Sequence, residues 1–375
     1  METSSPLVQV TKAIDRSLWP KHRVVLTRPI KLLLELDGIR VADVGAADGP
    51  EDRWRSISGL ATFLTFEPNP RSNAPVTTDD TLNFSVGLFS APGRHTLQLT
   101  EHIDSSSIYP ANQSLFADFL VADAMKVVGT MPIEVDTFDH CLEGHPTWAP
   151  DFFKVDVEGG DLEVLRGAER ALAQSVLGVR METAFVPVRI GAPLFDEMDR
   201  FMRERGFVLF HLGQNHWIRK NNHHGYASAP QLIWGDAIYF LSREAFLKRL
   251  STLNQSIRDQ QVAKFVTLLL CHNIHDFAIE IIEAAAKANL SPAVAAQLRQ
   301  SVENSMTRSP LHVLWLAVGV GYALTLLAAS LPFSGLRTRA MFYVRQRVAH
   351  LGRTLMRWGQ MAGYPKKSVI EDVFV

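Results

Sequence analysis

FFKVDVEGGDLEVLRGA, residues 152–168, decides how the rest of the chain is read. Phe152, Phe153, Val155 and Val157 make an apolar run interleaved with Lys154, Asp156 and Glu158, the pattern of a short strand with an acidic tip. Gly159 and Gly160 break the strand, and Asp161 stands where a helix N-cap would sit. Leu162, Leu165, Ala168 and Leu172 then follow at helical spacing. The stretch is therefore a strand–turn–helix unit with two carboxylates at the carboxyl end of its strand, the end at which open α/β sheets bind ligands. Taken alone, such a DVE would better suit a solvated acidic turn.

The same grammar occurs twice upstream. VADVGAADG, residues 41–49, is an apolar strand ending at Asp43, followed by Gly45, Ala46, Ala47 and Gly49, small residues that let backbone approach a ligand. Its spacing is not the G-x-G-x-x-G of dinucleotide folds. FLTFEPNP, residues 63–70, ends a strand with Glu67 about twenty residues further on, where nucleotide folds place a carboxylate for ribose hydroxyls. Between Pro70 and Leu82 no apolar helical period appears, so the crossover helix there is expected to be short or missing. Leu82–Leu88 is expected as the third strand, Thr96–Leu99 as an added one, and Ile133–Asp139 as another, with Asp136 near its tip.

Together the acid-tipped strands resemble class I methyltransferases, and KVDVEGGDLEVLRGA resembles the FkbM family in particular. DVGAADG, FEPNP, SVGLFSAPG, EVDTFD and LIWGDAIYFL are similar to further words of that family in the same order, and the resemblance spans about Ile39 to Arg243. It implies a doubly wound, mostly parallel Rossmann-like sheet with an antiparallel last strand, and S-adenosyl-L-methionine as cofactor. By that resemblance Asp43, Gly45, Ala47 and Gly49 cradle the methionine part and Glu67, with Asn69 nearby, holds the ribose. Gly87 and Asp136 complete the implied cofactor set. The family methylates hydroxyls on sugars, polyketides and related small molecules. Such a displacement needs the nucleophile held close and a group to manage its proton. Asp156 is the first candidate for that role and Glu158 the second, with Lys154 orienting a carboxylate. His216 (or His211) is an alternative base. One DxE pair without further spaced ligands supports no metal site, and the four histidines at 211, 216, 223 and 224 lack metal-ligand spacing.

The remainder bounds these expectations. With 375 residues the chain has room for two or three domains, and a formal charge of −1 gives no sign of nucleic-acid binding. The two cysteines make neither a disulfide framework nor a zinc pattern, and the N-terminus lacks a signal peptide's apolar run. Four regions are expected: a helical lead-in over 1–38, the methyltransferase domain over 39–243, a helical accessory region over 244–306, and a distinct segment over 307–375. Within the last, residues 311–331 are mostly apolar and as a helix would reach roughly 30 Å, enough to cross a bilayer. Residues 337–375 then carry eight Lys and Arg against two acids. A single crossing would place this basic tail against the positive-inside bias, so in-plane attachment or a hairpin at an anionic surface fits better. The same segment could instead pack on a partner protein or on its own domain. A cytoplasmic enzyme with a small-molecule or glycan acceptor, attached to the cytoplasmic face of a membrane, is the expectation. A non-catalytic scaffold recruited to a membrane is the alternative.

Overall fold

The computed structural model describes residues 24–46, 51–72, 76–101, 105–119, 125–220 and 230–306. In chain order its main elements are α1 (Arg28–Glu35), β1 (Ile39–Val44), β2 (Ala61–Phe66), β3 (Thr81–Phe84), β4 (Gly87–Leu88), β5 (Gly93–Thr100), β6 (Val127–Asp136) and β7 (Phe152–Val155). They continue as α2 (Asp161–Arg166), α3 (Glu169–Gln174), β8 (Gly178–Ala184), α4 (Phe195–Glu204), β9 (Phe207–Trp217) and β10 (Gln231–Leu241). Helices α5 (Arg243–Leu250), α6 (Gln255–Cys271), α7 (His275–Lys287) and α8 (Pro292–Ser305) close the described chain.

The main sheet has the order β3-β2-β1-β7-β8-β10-β9. Its first five strands are parallel, and β10 runs antiparallel between β8 and β9. This is the mixed, mostly parallel α/β sheet with an antiparallel last strand that the sequence leads one to expect. A parallel strand covered on both faces is apolar throughout rather than alternating. That explains β7, where Phe152, Phe153 and Val155 are all buried. The order change between β1 and β7 puts the carboxyl ends of β1, β2 and β7 side by side, at the switch point where such sheets bind ligands.

Several expected boundaries differ. The strand expected over 82–88 divides: β3 pairs with β2 in the main sheet, while β4 joins β6 and β5 in a separate three-stranded sheet. The helix expected from Asp161 breaks into α2 and α3 at Gly167, where the backbone runs so close to the loop after β4 that a Cβ would lie 2.2 Å from Phe89 O. Asp161 is the first helical residue, and the N-cap is Gly160. β9 and β10 form a long antiparallel hairpin, with His211 and His216 on β9. Among the described residues between β2 and β3 there is no helix.

The second half of helix α6, Val262 to Cys271, is buried on every side and packs within the main core, with Val262, Phe265, Val266 and Leu269 fully buried. Its Lys264, 1% exposed, donates to Asp37 Oδ2 at 2.6 Å and to Asp151 Oδ2 at 3.1 Å. Asp151 also accepts the Arg40 N–H at 2.8 Å. One buried cation thus ties α6 to the starts of β1 and β7. The hydroxyls of Ser301 and Ser305 on α8 accept the backbone N–H groups of Thr27 and Val25, anchoring the segment before α1.

Candidate active site

The switch point opens into a cavity of ≈ 230 Å³. Gly45, Glu67, Asn69, Lys154, Asp156 and Glu158 line its polar side, and Leu88, Leu97, Ile108, Ile133 and Val135 form its apolar wall. The wall comes from the small sheet, whose inward positions Leu97, Ile133 and Val135 form a cluster of their own. Strand alternation makes this inevitable: with Ile133 and Val135 facing in, Glu134 and Asp136 face elsewhere.

Gly45 shapes the floor. It sits at φ +80°, and a Cβ would lie 2.0 Å from Asp156 O, so β1 and β7 can meet here only through glycine. Beneath it Asp43, 2% exposed, lies 3.0 Å from Lys154 Nζ. Burial pushes the Asp43 carboxyl up, and Lys154 acts against that rise. Burial likewise disfavours the charged Lys154 ammonium, but Asp43 and Asp156 outweigh it and hold its pKa above the ordinary lysine value. Lys154 reaches Asp156 at 3.7 Å.

At the tip of β2, Glu67 Oε1 accepts the Asn69 N–H at 2.7 Å. Burial raises the Glu67 pKa. Asn69, 4% exposed, accepts the Arg71 N–H through Oδ1 at 3.1 Å. Among the described residues its Nδ2 has no partner, a buried donor left over on a residue of the cavity wall. Such atoms are rare in native folds.

Opposite lies a crowd of acids. Register places Asp43, Lys154 and Arg180 in one row across β1, β7 and β8, and Glu182 opposite Asp236 on β8 and β10. Asp156, just beyond β7, approaches Glu158 and Glu182. The three carboxylates each bring one oxygen within 4.8 Å of the others, a grouping able to hold a divalent cation. The DxE spacing alone did not reveal it, because the third acid arrives from β8. Burial, joined by the charges of Glu158, Asp236 and Asp43 against that of Lys154, puts Asp156 at about 6. Burial and the neighbouring Asp156 lift Asp161 to about 8, and the same causes with Glu158 raise Glu182 well above the carboxylate range. Glu158 itself has left-handed backbone, φ 58°, unusual for a side chain of its size. Its Oε2 accepts Arg189 Nη2 at 2.7 Å.

The structure thus gathers Gly45, Glu67, Asn69, Gly87, Lys154, Asp156 and Glu158 around one cavity. Asp43 lies behind it and acts on it through Lys154. Asp136 is elsewhere: it accepts Thr137 N–H at 2.7 Å and pairs with His140 Nδ1 at 2.7 Å. His216 is exposed on β9 opposite Leu232 and is not among the lining residues. It stands on the outermost strand of the sheet, away from the switch point. Ala47 and Gly49 lie outside the described residues, as does the segment 307–375. Glu182 was legible only as another strand-tip acid, and Arg189, in the loop VPVRIGAP, carried no sequence signal at all.

Comparison with known proteins agrees with this arrangement. Residues 43–209 match the profile of the methyltransferase FkbM domain. No curated protein matches the chain. Among solved structures, the magnesium protoporphyrin IX methyltransferase of Synechocystis, with SAM bound, superposes with a TM-score of 0.28 at 8% identity, covering 64% of this chain and 86% of that one. An uncharacterized protein of Listeria monocytogenes gives 0.26 at 9% identity over 76% of this chain and 100% of its own. A tRNA methyltransferase of B. subtilis gives 0.22 at 8% identity over 89% and 100%. These likenesses are loose, and the assignment rests on the domain match and on the chain's own strand order.

Proposed function

From the premise that residues 43–209 are an FkbM methyltransferase domain, we propose that the chain transfers a methyl group from S-adenosylmethionine to a hydroxyl of a sugar, glycan or related small molecule. The observation that carries the cofactor reading is the pairing, on one cavity wall, of Glu67 with the partnerless Nδ2 of buried Asn69. A carboxylate at this strand tip suits a ribose diol, and the amide offers a donor beside it. When bound, S-adenosylmethionine supplies a methyl group activated on a sulfonium. Gly45 keeps the floor low enough for backbone to approach it. The negative charge at Asp156 and Glu158 suits a cationic ligand.

Hydroxyl methylation is favoured by the state of Asp156. With a pKa of about 6 it is ionised at neutral pH yet basic enough to hold a hydroxyl and take its proton, the condition for an effective general base. Lys154, 3.7 Å away, fixes its position. Attachment to an anionic membrane is a further part of the reading and rests on the sequence of 307–375 alone. Among the described residues no helix is long and apolar enough to cross a membrane. Loss of vesicle binding on deleting 307–375 would support attachment, and unchanged binding would remove it.

The deciding experiment is calorimetric titration of S-adenosylmethionine and S-adenosylhomocysteine into the full chain, beside Glu67→Gln and Asn69→Ala. Hydrogen bonds to charged groups contribute about 1.5–3 kcal/mol, so Glu67→Gln should weaken binding roughly 10- to 100-fold. Asn69→Ala should weaken it about 5- to 10-fold. A folded wild-type protein that binds neither compound would end the enzyme reading and leave the scaffold alternative.

A further inference from the structure

One buried cation next to this site has no role in the account so far. Arg189 lies in the loop between β8 and α4 and is 2% exposed. Its Nη2 donates to Glu158 Oε2 at 2.7 Å and to Ser105 O at 2.6 Å. Nε and Nη1 have no hydrogen-bond partner among the described residues, so its polar connections run through that one nitrogen. They join three segments distant in sequence: the 105–111 loop, the turn after β7, and the β8–α4 loop.

One end of this connection, Glu158, is cavity wall, and the other, Ser105, immediately precedes it. Ser106, Ser107, Ile108 and Glu158 all line the cavity. Ser107, 1% exposed, donates its hydroxyl to Glu158 O at 2.7 Å and accepts the Tyr109 N–H at 2.9 Å. The turn is therefore gripped at two points, by Ser107 of the 105–111 loop on the Glu158 backbone and by Arg189 of the β8–α4 loop on the Glu158 side chain. The turn holds a shape it would not adopt freely, with Glu158 at φ 58° and Gly159 at φ 100°. A Cβ on Gly159 would meet Arg189 Cγ at 3.3 Å, so the arginine stem packs directly beneath that turn.

The rest of the loop-to-loop contact does not need the guanidinium. Asn112 N–H donates to Val188 O at 2.9 Å, Asn112 Nδ2 to Pro187 O at 2.8 Å, and Ile190 N–H to Pro110 O at 2.8 Å. These backbone links would survive an apolar residue at 189. A buried ion pair is also a poor means of stabilisation, since hydrophobic residues of similar volume usually do as well or better. What the guanidinium alone supplies is a fixed direction for the Glu158 carboxylate and a fixed height for Ser105 to Ile108.

We propose that Arg189 is a positioning residue of the cofactor site, clamping the Glu158 side chain and the 105–108 wall into the arrangement that receives S-adenosylmethionine. It is not itself a lining residue of this cavity and acts through Glu158 and the loop. The proposal rests on the methyltransferase reading, and its test separates the two.

S-adenosylhomocysteine is titrated by calorimetry into the full wild-type chain, Arg189→Met and Arg189→Lys, with a thermal melt recorded for each. Arg189→Met keeps most of the stem's packing and removes the donors. It should bind about 10-fold or more weakly, because charge-assisted hydrogen bonds of this kind are strong and directional. Arg189→Lys keeps a cation within reach of Glu158 and should recover most of the affinity, to within about 3-fold of wild type. If Arg189→Met does not melt cooperatively, Arg189→Gln, which keeps part of the stem and removes the charge, is read in its place by the same thresholds. A lowered melting temperature with affinity within about twofold of wild type assigns Arg189 to packing and overturns the proposal, as does equal loss in both variants. Wild-type protein that does not bind at all overturns the cofactor reading and the clamp with it.

Discussion

Gly45→Ala tests fold and site together, and the structure contains its own control. Gly45 and Gly59 have nearly the same left-handed backbone, φ +80° and +82°, but different surroundings. A Cβ at Gly59 meets nothing within 4 Å, whereas at Gly45 it would lie 2.0 Å from Asp156 O and 2.9 Å from Asp156 C. Gly59→Ala therefore isolates the conformational term, about 1–2 kcal/mol for an L-residue in this region. Gly45→Ala adds an overlap with backbone that no side-chain rotation can relieve. Non-bonded atoms sit comfortably at roughly 3.5 Å, so the tips of β1 and β7 must part by about 1 Å or more. Overpacking of this kind costs about 1–3 kcal/mol, making about 2–5 kcal/mol in all. That is a large share of a typical domain's stability of about 5–15 kcal/mol. A shift of about 1 Å also moves Asp156 off its position, which costs on the order of 100-fold where geometry matters. Urea unfolding of both variants reads the stability difference at constant m-value, and calorimetry with S-adenosylhomocysteine reads the site. Gly45→Ala should lose about 1–3 kcal/mol more than Gly59→Ala and bind at least about 10-fold more weakly, with Gly59→Ala binding normally. Equal stability of the two variants, or wild-type affinity in Gly45→Ala, would refute the claim that glycine is needed for the approach of these strands.

Two further outcomes follow from the crowded acids. Asp156 changes charge near pH 6, being ionised above and neutral below, so a cationic sulfonium should lose attraction as pH falls while the uncharged thioether of S-adenosylhomocysteine should not. The ratio of the two dissociation constants should shift several-fold between about pH 7.5 and 5 with its midpoint near 6, and a flat ratio would exclude Asp156 as the residue facing the sulfonium. Asp161 has a folded value of about 8, against about 3.9 for an unperturbed aspartate. The native state thus holds this proton more tightly than the unfolded chain, and the wild type loses stability as pH rises across that window. Asp161→Asn lacks the titration but gives up one of two accepted backbone bonds, from Gly159 and Glu182. It should be about 1 kcal/mol less stable near pH 5 and draw level or overtake by pH 8 in urea titrations. A difference that does not change with pH would show that Asp161 stays ionised.

Much of this chain could be read before any coordinates. Apolar runs ending in acids located β1, β2 and β7. Small residues after Asp43 marked a close backbone approach, and Glu67 behind them marked an acid at the next strand tip. These features are local: a strand's own residues determine its period, its tip and the turn that follows. What is set by neighbours distant in sequence was not legible. Whether Asp136 faces the cavity depends on the register of β6 against β5, and a strand's alternation gives two faces without saying which one is covered. Leu82–Leu88 reads as one strand, yet it serves two sheets because β6 arrives to capture Gly87 and Leu88. Asp156, Glu158 and Glu182 become one cluster only when β8 is laid beside β7. Arg189 becomes part of the site only when three loops converge on it. The sequence by itself determined the cofactor-binding grammar, because backbone geometry and strand-tip chemistry are encoded residue by residue. The tertiary structure alone decided which charges share a cavity, because burial and separation, which set pKa values and contacts, belong to pairs of residues rather than to either one.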